Sequence, residues 1–246
     1  KDYKIIPIIS IPTTAGTGSE VTPYATIWDT REKQKYSLNL PDLFSEVAIY
    51  DPLLTLTVPK NVTIQTGLDA LSHSLESIWN KNSTPITIGY AVKSAKLIVN
   101  NLVRLSNNLD NIDLRDNMMI ACMYAGLSFS NTQTAIAHAI SYYMTTHKGL
   151  THGIACSFTL PMLIDSVIGR YEFIDKVFKE IFGELGSTKL RELFEELGVS
   201  TEFSSYGVNE RELTELGKFL KGNERVDNSL ITLEELIQKK FLKHDK

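Results

Sequence analysis

From about residue 63 onward, apolar side chains recur at the three-to-four-residue spacing of amphipathic helices, and no other feature constrains the fold as strongly. The pattern predicts helices over residues 61–80, 87–105, 114–128 and 132–143. A further helix is expected over 152–166, kinked or broken at Pro161. Helices over 173–182, 187–197, 209–220 and 233–242 follow, with Gly198 as a C-cap. The first sixty residues read differently. Residues 5–11 are isoleucine-rich and short, as a buried strand is, and lead into a small-residue loop over 13–19. Residues 24–28 and 35–38 read as two strands joined by a polar turn over 29–34. Residues 47–50 form another short strand, closed by Asp51-Pro52. The expected fold is mainly α: a short α/β segment, then an all-helical domain. Crossover-connected sheets need several β–α units, so the leading strand is expected to find no parallel partner and to belong to a larger sheet whose other strands lie outside this chain.

The bulk properties narrow the class. Of 246 residues, 43% are apolar and 22% charged, which suits an ordinary globule with a core of its own. The net charge of -4 offers no electrostatic footprint for a phosphate backbone, so nucleic acid is not an expected partner. No run reaches the ~18 apolar residues of a membrane span, and the opening segment lacks the character of a signal peptide. Cys122 and Cys156 stand outside any C-x-x-C pair and read as buried, reduced thiols of a cytoplasmic protein, although sequence does not exclude a disulfide between them. A homodimer is the default assembly.

Three stretches carry candidate chemistry. In Gly67-Leu68-Asp69-Ala70-Leu71-Ser72-His73, a carboxylate and an imidazole stand four residues apart and share one helical face. Such a pair can grip a divalent ion, but spacing alone favours an ordinary capping or hydrogen-bonding pair, since polar pairs at this spacing are common. His138, His147 and His152, three of the chain's five histidines, cluster within 25 residues, and Gly153 after His152 permits close backbone approach. The segment Pro12-Thr13-Thr14-Ala15-Gly16-Thr17-Gly18-Ser19-Glu20 follows a strand and can present backbone N–H groups to a phosphate or nicotinamide, yet it is neither a G-x-G-x-x-G fingerprint nor a Walker A loop.

Together with Asp51-Pro52-Leu53-Leu54-Thr55, Ala137-His138 and His152-Gly153, these strings resemble the iron-type (group III) alcohol dehydrogenases, in order from about Lys4 to Pro161. The resemblance implies that residues 1–60 are a remnant of an α/β dinucleotide-binding domain and that residues 61–246 are the helical metal-binding domain. It implies a divalent metal, iron or zinc first, on Asp69, His73, His138 and His152. It implies NAD or NADP against Thr13, Thr14, Thr17, Lys35 and Leu54. The substrate would be a small alcohol or aldehyde, with hydride passing between nicotinamide and a metal-polarised carbonyl.

Two departures stand out. Where many family members carry a second histidine one turn after the ligand matched by His138, this chain has Tyr142, which leaves the proton donor open between Tyr142 and His147. A rival register would set Thr134 at the ligand position, but needs an insertion before His152. The family's Gly-Gly-Gly-Ser diphosphate loop is also absent, as is most of the nucleotide domain, so the chain reads as the C-terminal part of a member. A narrower resemblance, carried by residues 22–29, 35–38 and 130–138, is to the phosphonoacetaldehyde reductase branch, with Lys148 and residues 141–146 as candidates for holding the phosphonate. The alternatives are a truncated, non-catalytic remnant of the family and a dehydroquinate-synthase-like metal-dependent lyase.

Overall fold

In the computed structural model of the protein the described residues are 6–29, 31–32 and 34–236, with the side chains of Trp28, Gln34 and Lys35 also outside the description. The helical pattern becomes ten helices among these residues: α1 (Lys60–Ile78), α2 (Pro85–Asn107), α3 (Ile112–Thr132), α4 (Ile136–Lys148), α5 (His152–Ala155), α6 (Leu160–Val167), α7 (Glu172–Phe182), α8 (Ser187–Glu196), α9 (Glu210–Leu220) and α10 (Glu224–Asp227). None is long and apolar enough to cross a membrane. The helix expected over 233–242 falls largely outside the described residues.

The helix ends follow capping chemistry. Thr84 opens α2 through a capping box with Thr87, and Pro85 stands in the first turn, where its missing N–H costs no hydrogen bond. Asn111 and Asn209 cap α3 and α9 by accepting from Leu114 N and Glu212 N. After α8, Gly198 takes a φ of +69° and its N–H returns to the Glu195 carbonyl.

α1 is the axis of the helical region. Its residues from Gly67 to Ile78 are all buried, among α2, α3, α4 and α5. Leu68, Leu71, Leu75 and Ile78 belong to the apolar core. The helix also buries hydroxyls, and each is satisfied: Ser72 Oγ donates to the Cys156 carbonyl at 2.7 Å, and Ser77 Oγ to the His73 carbonyl at 2.8 Å. Gly67 sits where an added Cβ would lie 2.5 Å from Leu102 Cδ1, so α1 and α2 approach closely there and a larger side chain would have to push the Leu102 tip aside.

Two expected helices are rearranged. The one expected over 132–143 is displaced, because α3 runs on to Thr132 and the chain then turns through Gln133 before α4 begins at Ile136. The helix expected over 152–166 is broken, but the break lies ahead of Pro161: α5 ends at Ala155, and Pro161 sits in the first turn of α6. A proline tolerated at a helix start serves there as an initiator.

The first sixty residues form two small sheets. β1 (Ile9–Ser10) pairs in parallel with β4 (Val47–Ala48), so the leading strand does have a parallel partner in the chain. The intervening segment supplies the crossover that parallel pairing needs. β2 (Tyr24–Asp29) and β3 (Gln34–Asn39) form an antiparallel hairpin, with Tyr24 opposite Asn39. Asp29 Oδ1 accepts from Arg31 N and Glu32 N and so shapes its turn. Cys122 and Cys156 are both buried and free, which removes the disulfide alternative.

Candidate metal centre and its cavity

Asp69 and His73 project from one face of α1, as their spacing requires. Tertiary packing then brings α4 and α5 against that face. The Nε2 atoms of His73, His138 and His152 lie 3.7, 3.4 and 3.8 Å from a single oxygen, Asp69 Oδ1. The rings are close: His73 stacks on His138 with centroids 4.5 Å apart, and Phe129 covers the other side of His73 at 4.0 Å. Asp69, His73 and His138 are buried, and His152 is partly exposed.

A fourth residue of α1 organises the cluster. Glu76 stands three residues after His73 and is fully buried. Its Oε2 accepts from His138 Nδ1 at 2.6 Å and from Ala135 N at 3.0 Å, while Oε1 accepts from Ala137 N at 2.5 Å. The carboxylate thus sits at the N-terminus of α4, where free N–H groups and the helix dipole favour a negative charge. A carboxylate can only accept, so His138 Nδ1 carries the hydrogen. In the neutral imidazole, Nε2 then presents a lone pair towards Asp69 Oδ1, and it makes no hydrogen bond. With His138 neutral, two acceptors then face each other across 3.4 Å, a contact that either a proton on Nε2 or a bound cation would satisfy.

The electrostatics agree. Burial alone would raise the Asp69 carboxyl pKa, but His73, His138 and His152 outweigh it and hold the group well below the usual carboxylate range. Burial alone would lower His138, but Glu76 and Asp69 raise it above the ordinary imidazole value. Each side of the cluster stabilises charge on the other. Donors on a tetrahedrally held divalent ion stand roughly 3.3–3.6 Å apart, given bonds of about 2.0–2.2 Å. The His138–Asp69 spacing of 3.4 Å falls within that range and those of His73 and His152, 3.7 and 3.8 Å, lie slightly above it; oxygen and nitrogen donors suit iron or zinc. Asp69, His138, His152 and Cys156 also form a group whose ligand atoms all lie within 4.8 Å of one another. Cys156 takes a different part: its thiol donates to Asp69 Oδ1 at 3.3 Å and to the Gly153 carbonyl at 3.5 Å. Gly153 is required for this packing, because an added Cβ would lie 2.0 Å from the Gln65 carbonyl oxygen of α1.

The cluster opens into a cavity of about 740 Å³, walled on one side by the β2–β3 hairpin and on the other by α4 and α10. Of the residues expected at a cofactor, Thr17 lines it, with its hydroxyl 2.8 Å from that of Ser19. Thr13, Thr14 and Leu54 are not in its lining; Leu54 sits in a 3₁₀ turn and is 43% exposed. The Lys35 side chain lies outside the described residues. Tyr142 faces the cavity, and burial pushes its hydroxyl pKa up to about 12. His147 does not line it and stacks instead on Tyr143 at 4.3 Å. Lys148 is drawn off by Glu212 and the Gly207 carbonyl, so it is not the cation of this cavity. That cation is Arg225, on the unexpected helix α10. Thr134 Oγ1 accepts from Arg225 Nε at 2.9 Å.

Glu76 and Arg225 are not among the residues that the sequence singles out. Glu76 had a usable signal, since a carboxylate seven residues after Asp69 and three after His73 shares their helical face. Arg225 had none, lying in a charged stretch that reads as solvated surface.

Comparison with known proteins places these features in a family. Residues 63–220 match the C-terminal model of the Fe-containing alcohol dehydrogenase family, and residues 1–52 match the iron-containing alcohol dehydrogenase model. The chain is 31% identical over 226 residues to the NAD-dependent methanol dehydrogenase of Bacillus methanolicus, covering 87% of this chain and 59% of that protein. It is 33% identical over 222 residues to the sulfoacetaldehyde reductase of Bilophila wadsworthia, covering 85% of this chain and 57% of that protein. Among solved structures, the sulfoacetaldehyde reductase of Bifidobacterium kashiwanohense in complex with NAD+ superposes with a TM-score of 0.90 at 29% identity, over 99% of this chain and 66% of that one. The chain therefore spans less than two thirds of the length of these relatives, and it belongs to the iron-containing alcohol dehydrogenase family.

Proposed function

We propose that this chain carries the metal site and part of the cofactor site of an NAD(P)-linked alcohol dehydrogenase or aldehyde reductase. The convergence of three imidazole Nε2 atoms on Asp69 Oδ1, at 3.4–3.8 Å, is the observation that carries this reading. Asp69, His73, His138 and His152 would hold the metal. When bound, the metal supplies Lewis acidity towards a carbonyl oxygen and the nicotinamide supplies hydride. Within the chain, Glu76 fixes the ring of His138 and leaves its Nε2 basic. Phe129 packs on His73 and excludes water from that side of the cluster. Tyr142, at the cavity wall one turn after His138, is the better placed of the two candidate proton donors.

Residues 1–60 would belong to the α/β dinucleotide-binding domain and residues 61–246 to the helical metal-binding domain. The small sheets and the all-helical remainder support that division. Thr13, Thr14, Thr17, Lys35 and Leu54 remain the proposed cofactor contacts, with Thr17 supported by its place in the cavity. The substrate is a small alcohol or aldehyde, and phosphonoacetaldehyde is the specific candidate raised by residues 22–29, 35–38 and 130–138.

Calorimetric titration of the metal-stripped chain with zinc, and with ferrous iron under anaerobic conditions, tests the site. One ion per chain is expected, with binding lost in His73→Ala. Retention of stoichiometric binding in that variant, or equal reductase activity with and without metal, would overturn the reading. Because Thr13, Thr14 and Leu54 do not line the cavity, a non-catalytic remnant of the family is the second reading. NADH fluorescence separates the two, since a remnant leaves the emission unchanged.

A further inference from the structure

The metal cluster and the proposed cofactor contact at Thr17 leave one part of the cavity wall, around Gln133 and Arg225, without a role. There the lining is polar: it combines Thr26, Ser37 and Asn39 of the hairpin with Gln133 and Thr134 of the α3–α4 turn and Arg225 of α10. A cavity shaped for a plain alkyl alcohol would present apolar side chains instead.

Arg225 is the one arginine in this lining. Among the described residues it forms no ion pair. Its side-chain contacts are the bond from Nε to Thr134 Oγ1 and the Tyr142 ring, 5.0 Å from Cζ. The Nε bond and the ring fix the guanidinium plane, and both Nη atoms keep their donors. Two other arginines, Arg170 and Arg191, are by contrast taken up by the carboxylates of Glu235 and Asp165.

Gln133 stands beside it in a strained backbone. Its φ of 63° and ψ of 174° fall in a region that is essentially reserved for glycine. The conformation is held by neighbours: the Gln133 carbonyl accepts from Asn80 Nδ2 at 3.2 Å and Thr132 Oγ1 at 3.0 Å. Asn228 Nδ2, 3.4 Å from Gln133 Oε1, fixes which end of the side-chain amide is committed. That leaves the Nε2 end as a donor. Non-glycine residues keep such strain where the surrounding structure uses it.

We infer that Arg225 and Gln133 form an anion anchor that selects short alcohols and aldehydes bearing a tetrahedral oxyanion, a sulfonate or a phosphonate, at the carbon end remote from the reacting oxygen. The inference rests on the proposed reaction for its reacting end, and on these two residues alone for its charged end. A planar guanidinium offers two parallel N–H donors to such a group, and the amide adds a third. Glu224, which also lines the cavity, opposes the anion and tunes the affinity downward.

Calorimetry on the full 246-residue chain tests the anchor directly, with and without zinc. The probes are 2-hydroxyethylsulfonate, 2-hydroxyethylphosphonate and propan-1-ol. Each anion is expected to bind at least about tenfold more tightly than propan-1-ol, the scale of one charged hydrogen bond. Arg225→Gln should erase that preference while zinc stoichiometry and far-UV circular dichroism stay unchanged. Glu224→Gln should strengthen anion binding, and Gln133→Gly should weaken it. Equal binding of charged and uncharged probes, or a preference that survives Arg225→Gln, would overturn the inference. The tighter of the two anions identifies the source of the oxyanion. Anion preference in the metal-free chain is read without the metal, so failure of the metal site and failure of the anchor are distinguishable.

Discussion

The helical region and the first sixty residues handle the same demand, burial of apolar side chains, in opposite ways. Around α1 the core closes on itself: Leu68, Leu71 and Leu75 have no exposure at all. In the strands, Ile9 is 63% exposed, Val47 48% and Ile27 61%, despite the strong β character of their sequences. A strand buries one face only when another layer covers it, whereas α1 is surrounded by helices drawn from the same chain. The metal cluster lies wholly in the self-sufficient region, and the hairpin contributes only a wall of the cavity.

The sharpest way to break this contrast is to disturb the α1–α5 contact. Gly153→Ala places a methyl against backbone with no flexible atom to yield, and is expected to destabilise the chain by about 3 kcal/mol, seen as a lower urea midpoint. Because His152 precedes it, zinc affinity should fall with stability. Glu76→Gln comes next. Its amide nitrogen cannot accept from the α4 N–H groups, so roughly 10–100-fold weaker zinc binding is expected by calorimetry. Unchanged affinity would show that His138 needs no orienting partner.

The pH dependence of the metal-free chain is a subtler probe. The Asp69 carboxyl is held below its unfolded value, so its contribution is present above about pH 4 and is lost as pH falls through the folded value. The His138 imidazole is raised above its unfolded value, so its contribution is present below about pH 6.5 and is lost as pH rises through the folded value. Both act together between about pH 4 and 6.5, where the metal-free chain should be most stable by thermal denaturation. Zinc should reverse the upper limb, since metal binding needs neutral imidazoles and strengthens as they lose protons. A stability that rises monotonically to pH 8 without metal would contradict the charge pairing. The smallest effect belongs to the hairpin: Ile27→Thr should change stability by less than about 0.5 kcal/mol, against about 2–5 kcal/mol for Leu71→Ala. A larger loss at Ile27 would mean that something covers the strand in solution.

Much of the fold is legible in the amino-acid sequence. Helical periodicity places α1, α2, α7, α8 and α9 to within a few residues, because one buried face suffices to mark a helix. Periodicity fails between α3 and α4 and between α5 and α6. The junctions there are mostly small or polar residues, Ser130 to Thr134 and Cys156 to Thr159, that suit a helix end or a loop equally, and tertiary contacts select the ends: Glu76 accepts at the α4 N-terminus and Gly153 packs on Gln65. Asp69 and His73 share a face by covalent geometry alone, so their pairing needs only the spacing. His138 and His152 enter through resemblance, since no local rule relates residues 69 and 138.

By itself, then, the sequence determined the division into a strand-rich start and a helical remainder, the shared face of Asp69 and His73, and membership of a metal-dependent family. Only the tertiary structure decided that Glu76 orients His138, that Thr17 reaches the cavity while Thr13, Thr14 and Leu54 do not line it, and that Arg225 rather than Lys148 is its cation. The physical reason is range. Side chains within a few residues are related by helix geometry, but a buried carboxylate, a strained Gln133 and a guanidinium on a four-residue helix meet only when the whole chain has packed.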